Sequence, residues 1–306
     1  MIFLITGGSS FIGVALTELL VKEGHSVYVV CRRTSKTKSD IPVNDNVKTI
    51  YYNGLDDITS ICGLISRVDV FLHLAWDGTG HEGRDNKEIQ NNNIRYSLVA
   101  LDIAHKLKCR LFIEAGSQAE YGNINSLITE NTICNPENEY GKAKLKFGNI
   151  ASNKCILMGM KFIHLRIFSL FGETDHPWTL VMSCIRKMLN NEDVKLSSCE
   201  QLWNFLYVKD AVKQIYLLCK SAVISDNFSP EIYNIASQDT RKLRDYVEEM
   251  YRLTESKSNL YFGGYVTANV VSLNPSVDKT KVATGGFISE YSFTQIINNI
   301  IDNYKK

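Results

Sequence analysis

The chain opens on MIFLIT, apolar save for its last residue. Similar short apolar runs recur through the first half: SVYVVC, VDVFLHLAW, CRLFIEAG and KFIHLRIF. Each is short enough for a strand and apolar at consecutive rather than alternate positions, the pattern of a strand covered on both faces. Between these runs, apolar residues return every three or four positions. Phe11 to Lys22, Asn93–Lys106 and Tyr140–Met158 are predicted helices, the first closed by Gly24 as a C-terminal cap. Buried strands alternating with helices predict an α/β fold, a doubly wound parallel sheet of Rossmann type.

The second half reads differently. Helices are predicted over Leu180–Asn190, around Ala211–Lys220, over Leu243–Leu253 and at Thr294–Tyr304, with NFLYV and EIYNIAS as strands and a polar stretch from Thr254 to Asn259. No internal repeat or low-complexity tract interrupts the pattern. The expected organisation is a dinucleotide-binding domain of residues 1–171, to which about 205–236 returns, and a smaller C-terminal substrate-binding lobe of 172–204 and 237–306.

Composition narrows the partners. Among 306 residues, 44% are hydrophobic and 22% charged, ordinary values for a folded enzyme, and the net charge is +1. Such a chain has no general attraction for nucleic acid or an anionic membrane, so a bound anion must be held by local groups. No apolar stretch approaches the roughly 20 residues of a membrane helix. The opening apolar run has no basic residue before it and breaks at Thr6-Gly7-Gly8, so a leader is not expected and a cytoplasmic location is. The eight cysteines are widely spaced without a C-x-x-C pair, which predicts free thiols and no metal site. His81 and Glu82, as neighbours, cannot both aim at one ion without further ligands.

Strand, then TGGSSFIG, then helix is the context of a phosphate-binding loop. Gly7, Gly8 and Gly13 allow a tight turn and close approach of backbone to a pyrophosphate, and a helix N-terminus supplies free N–H groups. Ser9, Ser10, Phe11 and Ile12 complete the turn, Ser10 standing where a middle glycine is often found. A tight turn without a ligand would read the same way. The second strand runs into Cys31-Arg32-Arg33-Thr34-Ser35 rather than into an acidic residue. Arg32 and Arg33 suit a 2′-phosphate, which favours NADP(H) over NAD(H), a solvated basic turn being the other explanation.

Tyr140-Gly141-Lys142-Ala143-Lys144 places a phenol and an ammonium four residues apart on one helix face. A free phenol, with a pKa of about 10, is a poor proton donor and acceptor at neutral pH, and a nearby cation brings it into range. Upstream, CRLFIEAG ends at Ser117, whose hydroxyl stands at the C-terminal edge of a sheet, where such folds bind ligands. The segment Trp76 to Arg84 follows another strand end. Its glycines make it either a substrate loop, with Arg84 or His81 as contacts, or a plain surface loop.

These residues together resemble the extended short-chain dehydrogenase/reductases, a group that includes nucleotide-sugar epimerases, dehydratases and ketoreductases. The resemblance runs along nearly the whole chain. TGGSSFIG looks like that family's cofactor loop, HLAW (His73–Trp76) its flanking strand, and GSQAEYG and YGKAK its catalytic segments; LRIFSLFG, FLYVKDA and YNIAS resemble later landmarks. The resemblance implies Tyr140 as general acid/base, Lys144 as its partner and ribose ligand, Ser117 as the group orienting the carbonyl, and Asn93 as support for the catalytic helix. It implies Leu74, Ala75 and Phe168 beside the cofactor, Trp76, Gln118, Ser169 and Trp203 beside the substrate, and a homodimer whose helices beginning near Asn93 and Tyr140 form a four-helix bundle.

Departures from the family pattern select among chemistries. Related dehydratases carry an Asp-Glu pair just after the catalytic Ser/Thr, where this chain has Gln118 and Ala119; Glu120 comes one residue later and reads as a pocket edge or an ion-pair partner. Related enzymes that epimerise C3 and C5 carry a cysteine in place of Ala119. The arginine that clamps the substrate diphosphate in epimerases is replaced at Trp203-Asn204, leaving Arg186, Lys187, Lys195 or Lys209 either as substitutes or as solvated charges. Trp203 either stacks on a base or packs between the lobes. The expected function is NADPH-dependent reduction of the 4-keto group of a nucleotide-linked 4-keto-6-deoxyhexose, suited to polysaccharide biosynthesis. A 4-epimerase holding NAD and a non-catalytic NADP-binding regulator are the alternatives.

Overall fold

The computed structural model describes residues 1–53, 59, 61–227, 229–264 and 271–305, and of His81 the backbone only. In chain order the first half carries β1 (Ile2–Thr6), α1 (Phe11–Lys22), β2 (Ser26–Arg32), β3 (Val47–Tyr52), α2 (Ile61–Leu64), β4 (Val70–His73), α3 (His81–Arg84), α4 (Lys87–Lys106), β5 (Leu111–Ser117), α5 (Glu139–Leu157) and β6 (Lys161–Ile167). The second half carries β7 (Ser169–Phe171), α6 (Leu180–Leu189), β8 (Val194–Lys195), β9 (Leu202–Tyr207), α7 (Val208–Ile224), β10 (Glu231–Ile235), β11 (Thr240–Lys242), α8 (Leu243–Leu253), β12 (Leu260–Tyr261), α9 (Asp278–Ala283) and α10 (Phe293–Lys305).

Seven strands form one parallel sheet in the order β10-β6-β5-β4-β1-β2-β3. β5 and β6 are buried at every position, as unbroken apolar runs require. The strand order reverses between β1 and β4, so the connections that leave them run to opposite sides and open a crevice beyond their C-terminal ends, the usual ligand position in such sheets. Beside this sheet, β7 pairs in parallel and β11 antiparallel with β9 to make a three-stranded sheet, and β12 pairs with β8. One hydrophobic cluster joins the face of the main sheet around Phe3, Ile5 and Leu16 to Phe205 and Tyr246 and to Phe293 and Ile297 of the closing helix.

The main departures from the expected elements have local causes. Helix α4 begins at Lys87 rather than Asn93, because the Asn86 side chain accepts the N–H groups of Glu88 and Ile89 and caps a polar first turn. Strand β3, unpredicted, is an edge strand whose residues are mostly half-buried or exposed, so it lacks a continuous apolar run. The strand expected over VDVFLHLAW stops at His73, where the chain turns out of the sheet.

Candidate functional site

The glycine loop is built by its own backbone. Gly7 has φ +71°, and a methyl group there would lie 2.7 Å from the Ala75 nitrogen; one on Gly13 would lie 2.5 Å from the Gly7 carbonyl oxygen. Only glycine therefore lets β1, the loop and α1 approach so closely. Ser10 is spent on this turn: its N–H donates to the Gly7 carbonyl at 3.0 Å, and its hydroxyl accepts the Gly13 N–H at 3.1 Å as the cap of α1. The side chains of Phe11 and Ile12 pack against the core, leaving their backbone at the helix start. Leu74 continues off β4 with its N–H donating to the Thr6 carbonyl.

From this loop a cavity of about 400 Å³ runs along the crevice, lined by Gly7, Ser9 and Ser10, by Arg32, Thr34, Ser35 and Thr37, and by Leu74, Ala75 and Trp76. The segment after β2 is folded onto the glycine loop, since the Thr37 hydroxyl donates to the Ser9 carbonyl at 2.6 Å and the Ser9 and Ser35 hydroxyls are 2.9 Å apart. Arg32 reaches the cavity and pairs with Asp77 at 2.9 Å. Arg33 is exposed and is not among the lining residues, so one guanidinium rather than two faces this space. A larger groove of about 630 Å³ along α8 and the start of α10 is lined by Arg241 and by carboxylates it already pairs with, Asp239 and Glu249, and holds none of the candidate residues.

Ser117, Tyr140 and Lys144 converge and are buried, with 7%, 9% and 2% exposure. Asn138 caps α5 through the Gly141 N–H and so orients the first turn that carries Tyr140. Contrary to the expectation that Lys144 would lower it, burial raises the Tyr140 phenol above its usual value, and the opposing groups are the Ser117 hydrogen bond and the Arg84 charge. Burial lowers Lys144 to about 8, against the pull of Glu114 and Glu120. Lys144 donates to the Ala115 carbonyl at 2.5 Å and lies 3.6 Å from the centre of the Trp76 ring. Trp76 also meets the Tyr140 ring edge-on, and Arg84 stands over that ring at 4.8 Å. Trp76 thus lines the cavity and covers Tyr140 and Lys144 behind it. The Arg84 Nε is buried with no hydrogen-bond partner among the described residues.

The other expected residues have different surroundings. Asn93 does not brace α5: its side chain accepts the Asp77 N–H at 3.0 Å and donates to the Asp77 carbonyl at 2.8 Å, fixing the loop after β4. Gln90 does the same work beside it, accepting from Trp76 Nε1 at 2.8 Å and donating to the Gly78 and Gly83 carbonyls. Phe168 packs on Tyr121 within a separate apolar cluster. Gln118 lies in the turn after Ser117, and Ser169 sits opposite Phe205 in the small sheet. Trp203 packs beside Phe205 with a buried, unpartnered Nε1. The side chain of His81 lies outside the described residues.

Of the two readings of Glu120, the ion-pair partner holds, but sequence reasoning missed the set of buried ions to which it belongs behind Ser117 and Lys144. Glu114 and His164 lie inside the buried strands β5 and β6, and Glu120 lies in the turn after Ser117. The Glu120 carboxylate accepts the Ser117 N–H at 2.7 Å on one oxygen and His164 Nε2 and Arg166 Nε on the other, at 2.7 and 3.1 Å. Burial alone would raise Glu120, but His164 and Arg166 hold it below the usual range. His164 also donates Nδ1–H to Glu114 at 2.7 Å; burial works against its charge, yet the two carboxylates hold it up at about 10. Gly116 and Gly148 make room for this ring, since a methyl group on either would meet it within 2.6 Å. The available signal was an ionisable residue within an otherwise apolar strand, which demands a partner.

The family model described as NAD dependent epimerase/dehydratase family matches residues 3–236. The chain is similar to CDP-abequose synthase of Salmonella muenchen, with 22% identity, 97% of this chain and 96% of that protein being covered. It is 26% identical to dTDP-6-deoxy-L-talose 4-dehydrogenase (NAD(+)) of Aggregatibacter actinomycetemcomitans, with 81% and 89% covered. The structure of UDP-glucose 4-epimerase with UDP-glucose from Thermotoga maritima superimposes with a TM-score of 0.86 at 22% identity over 100% of this chain and 99% of that one, a likeness of fold.

Proposed function

Because the chain belongs to the NAD-dependent epimerase/dehydratase family, we propose that it is an NADPH-dependent reductase of the 4-keto group of a nucleotide-linked 4-keto-6-deoxyhexose. The observation that carries the choice of reaction is the state of Glu120. Both its oxygens are engaged by Ser117, His164 and Arg166, and Gln118 and Ala119 precede it, so the acid and base that water elimination needs are missing. Ser117, Tyr140 and Lys144 are what is left, and they suit proton transfer to and from a carbonyl or hydroxyl oxygen.

The glycine loop, the Thr34–Thr37 segment and Arg32 fit a dinucleotide carrying a 2′-phosphate: a close backbone cradle, hydroxyls, and a guanidinium without an acidic residue at the end of β2. Such a cofactor, when bound, supplies hydride to the carbonyl carbon. Tyr140 gives the proton to the oxygen, Ser117 holds that oxygen, and Lys144 keeps the site cationic as the phenol gives up its proton. Trp76 and Arg84 form the substrate side. Support for a sugar nucleotide comes from relatives named for CDP- and dTDP-linked sugars, one of them a 4-dehydrogenase. A homodimer through α4 and α5, the division into two lobes and a cytoplasmic location belong to the same reading.

The test is NADPH oxidation against nucleotide-linked 4-keto-6-deoxyhexoses carrying different bases, with NADH in parallel. Oxidation of NADPH with one base, faster than of NADH, is the expected result. A purified protein that retains NAD and interconverts 4-epimers without net oxidation would replace the reductase by an epimerase.

A further inference from the structure

We propose that Glu114 is the positioning residue of Lys144: its carboxylate, anchored by His164, holds the Lys144 ammonium charged and in place behind the reacting oxygen. This rests on the reading above, in which Tyr140 and Lys144 carry the chemistry.

The geometry divides Glu114 into two ends. Its Oε2 accepts His164 Nδ1–H at 2.7 Å, while Oε1 lies 4.0 Å from Lys144 Nζ and has no hydrogen-bond partner. Glu114 is fully buried and Lys144 nearly so. An ammonium in such a place needs a counter-charge or it loses its proton. His164 is fixed in turn from its other side by Glu120, and Glu120 by Arg166 and the Ser117 N–H. The result is a chain of charged hydrogen bonds through β6 and β5 whose free carboxylate oxygen faces Lys144 at 4.0 Å, while the ammonium itself donates to the Ala115 carbonyl. Ser117 hangs on the same chain, so both the group that orients the substrate oxygen and the ammonium are referred to one rigid support.

The groups facing Lys144 from the other sides do not replace Glu114. From β4 comes His73, which burial and Lys144 push down to about 3, so it is neutral. The loop after β4 brings the Trp76 ring and, over Tyr140, the cationic Arg84. The turn after β5 brings Glu120, already bonded to two cations, and Tyr121 and Cys134 border Arg166. From α5 itself comes the neutral phenol of Tyr140, raised above its usual 10. Lys144 is the ammonium that Glu114 faces, so the alkaline fall of turnover is expected to follow its loss of a proton.

The experiment is the pH profile of kcat for the full-length enzyme and its Glu114→Gln variant, with Glu114→Asp as the conservative partner. Removing a charge at this range moves a neighbour by roughly one to three pH units. The alkaline limb of Glu114→Gln should therefore shift to lower pH by about one unit or more, with KM for sugar and NADPH unchanged, and Glu114→Asp should return part of the shift. A folded Glu114→Gln enzyme whose limb superimposes on that of the parent overturns the proposal while leaving Tyr140 as acid. If Glu114→Gln does not fold, the unaltered enzyme carrying 13C-carboxyl glutamate decides: the Glu114 resonance should step at the pH of the alkaline limb, and a resonance without that step overturns the proposal. Undiminished turnover by Tyr140→Phe removes the underlying reading, and this proposal with it.

Discussion

Arg32 and Asp77 hold each other at 2.9 Å with about half of each side chain in solvent. A pair so exposed is worth at most about 1 kcal/mol, so a ligand phosphate can displace Asp77 cheaply. Arg32→Asp should weaken NADPH binding by roughly tenfold or more, the loss of one charge-assisted contact of about 1.5–3 kcal/mol, and should favour NADH; equilibrium titration of both dinucleotides measures this. Tyr140→Phe keeps the ring that packs under Arg84 and against Trp76 but loses the proton. It should lower kcat by about 10²–10⁴-fold while leaving NADPH affinity in place, as single-turnover kinetics and titration would show together. Among these residues the sequence pattern pointed to Gly7, Ser117, Tyr140 and Lys144 because their chemistry depends on local spacing. It did not reveal that Asn93 turns to the Asp77 backbone, or that Trp76 covers Lys144, because both depend on where the loop after β4 folds.

Strands β5 and β6 carry three of the buried ions, Glu114, His164 and Arg166, and their register sets Glu114 opposite His164 and Gly116 opposite Arg166. Removing one member of such a buried network leaves the others uncompensated, at a cost of roughly 3–5 kcal/mol. His164→Gln should therefore destabilise the fold by about 3 kcal/mol or more in chemical denaturation. The pH dependence has a definite sign. His164 is held up from 6.5 to about 10, so the stability it contributes is complete below pH 6.5 and is lost as pH rises through 10. Glu120 is held below 4.5, so its contribution is present above pH 4.5 and is lost as pH falls below it. Thermal melts should show stability declining from pH 6.5 to 10 in the parent and a flatter curve in His164→Gln. The element pattern explains why β1, β2, β5 and β6 could be read ahead of the structure: continuous burial gives continuous apolar runs. β3 at the sheet edge and the two-residue strands β8 and β12 offer no such run, and β7 and β11 depend on pairing with β9, which NFLYV did reveal.

The main sheet places the Gly7 cradle and Trp76 along one crevice, with Tyr140 and Lys144 packed against the Trp76 ring. Order of elements was enough to anticipate that crevice, since a parallel sheet whose strand order reverses must open there. Glu120 was readable as an ion-pair partner, but its connection through His164 to Glu114 was not, because it joins residues up to 50 positions apart that sit on three different elements. Its presence ties catalysis to the stability of the central strands, which is why Glu114 and His164 are expected to affect rate and fold together. If α4 and α5 also pair with a second copy, sedimentation velocity will show twice the 34.6 kDa of one chain. The most direct test of the function is the loss of NADPH absorbance on adding a nucleotide-linked 4-keto-6-deoxyhexose, with enzyme and its Tyr140→Phe variant at equal NADPH occupancy. Rapid loss with the parent and near-background loss with the variant is the predicted result; equal rates, or no loss with any base despite bound NADPH, would contradict it.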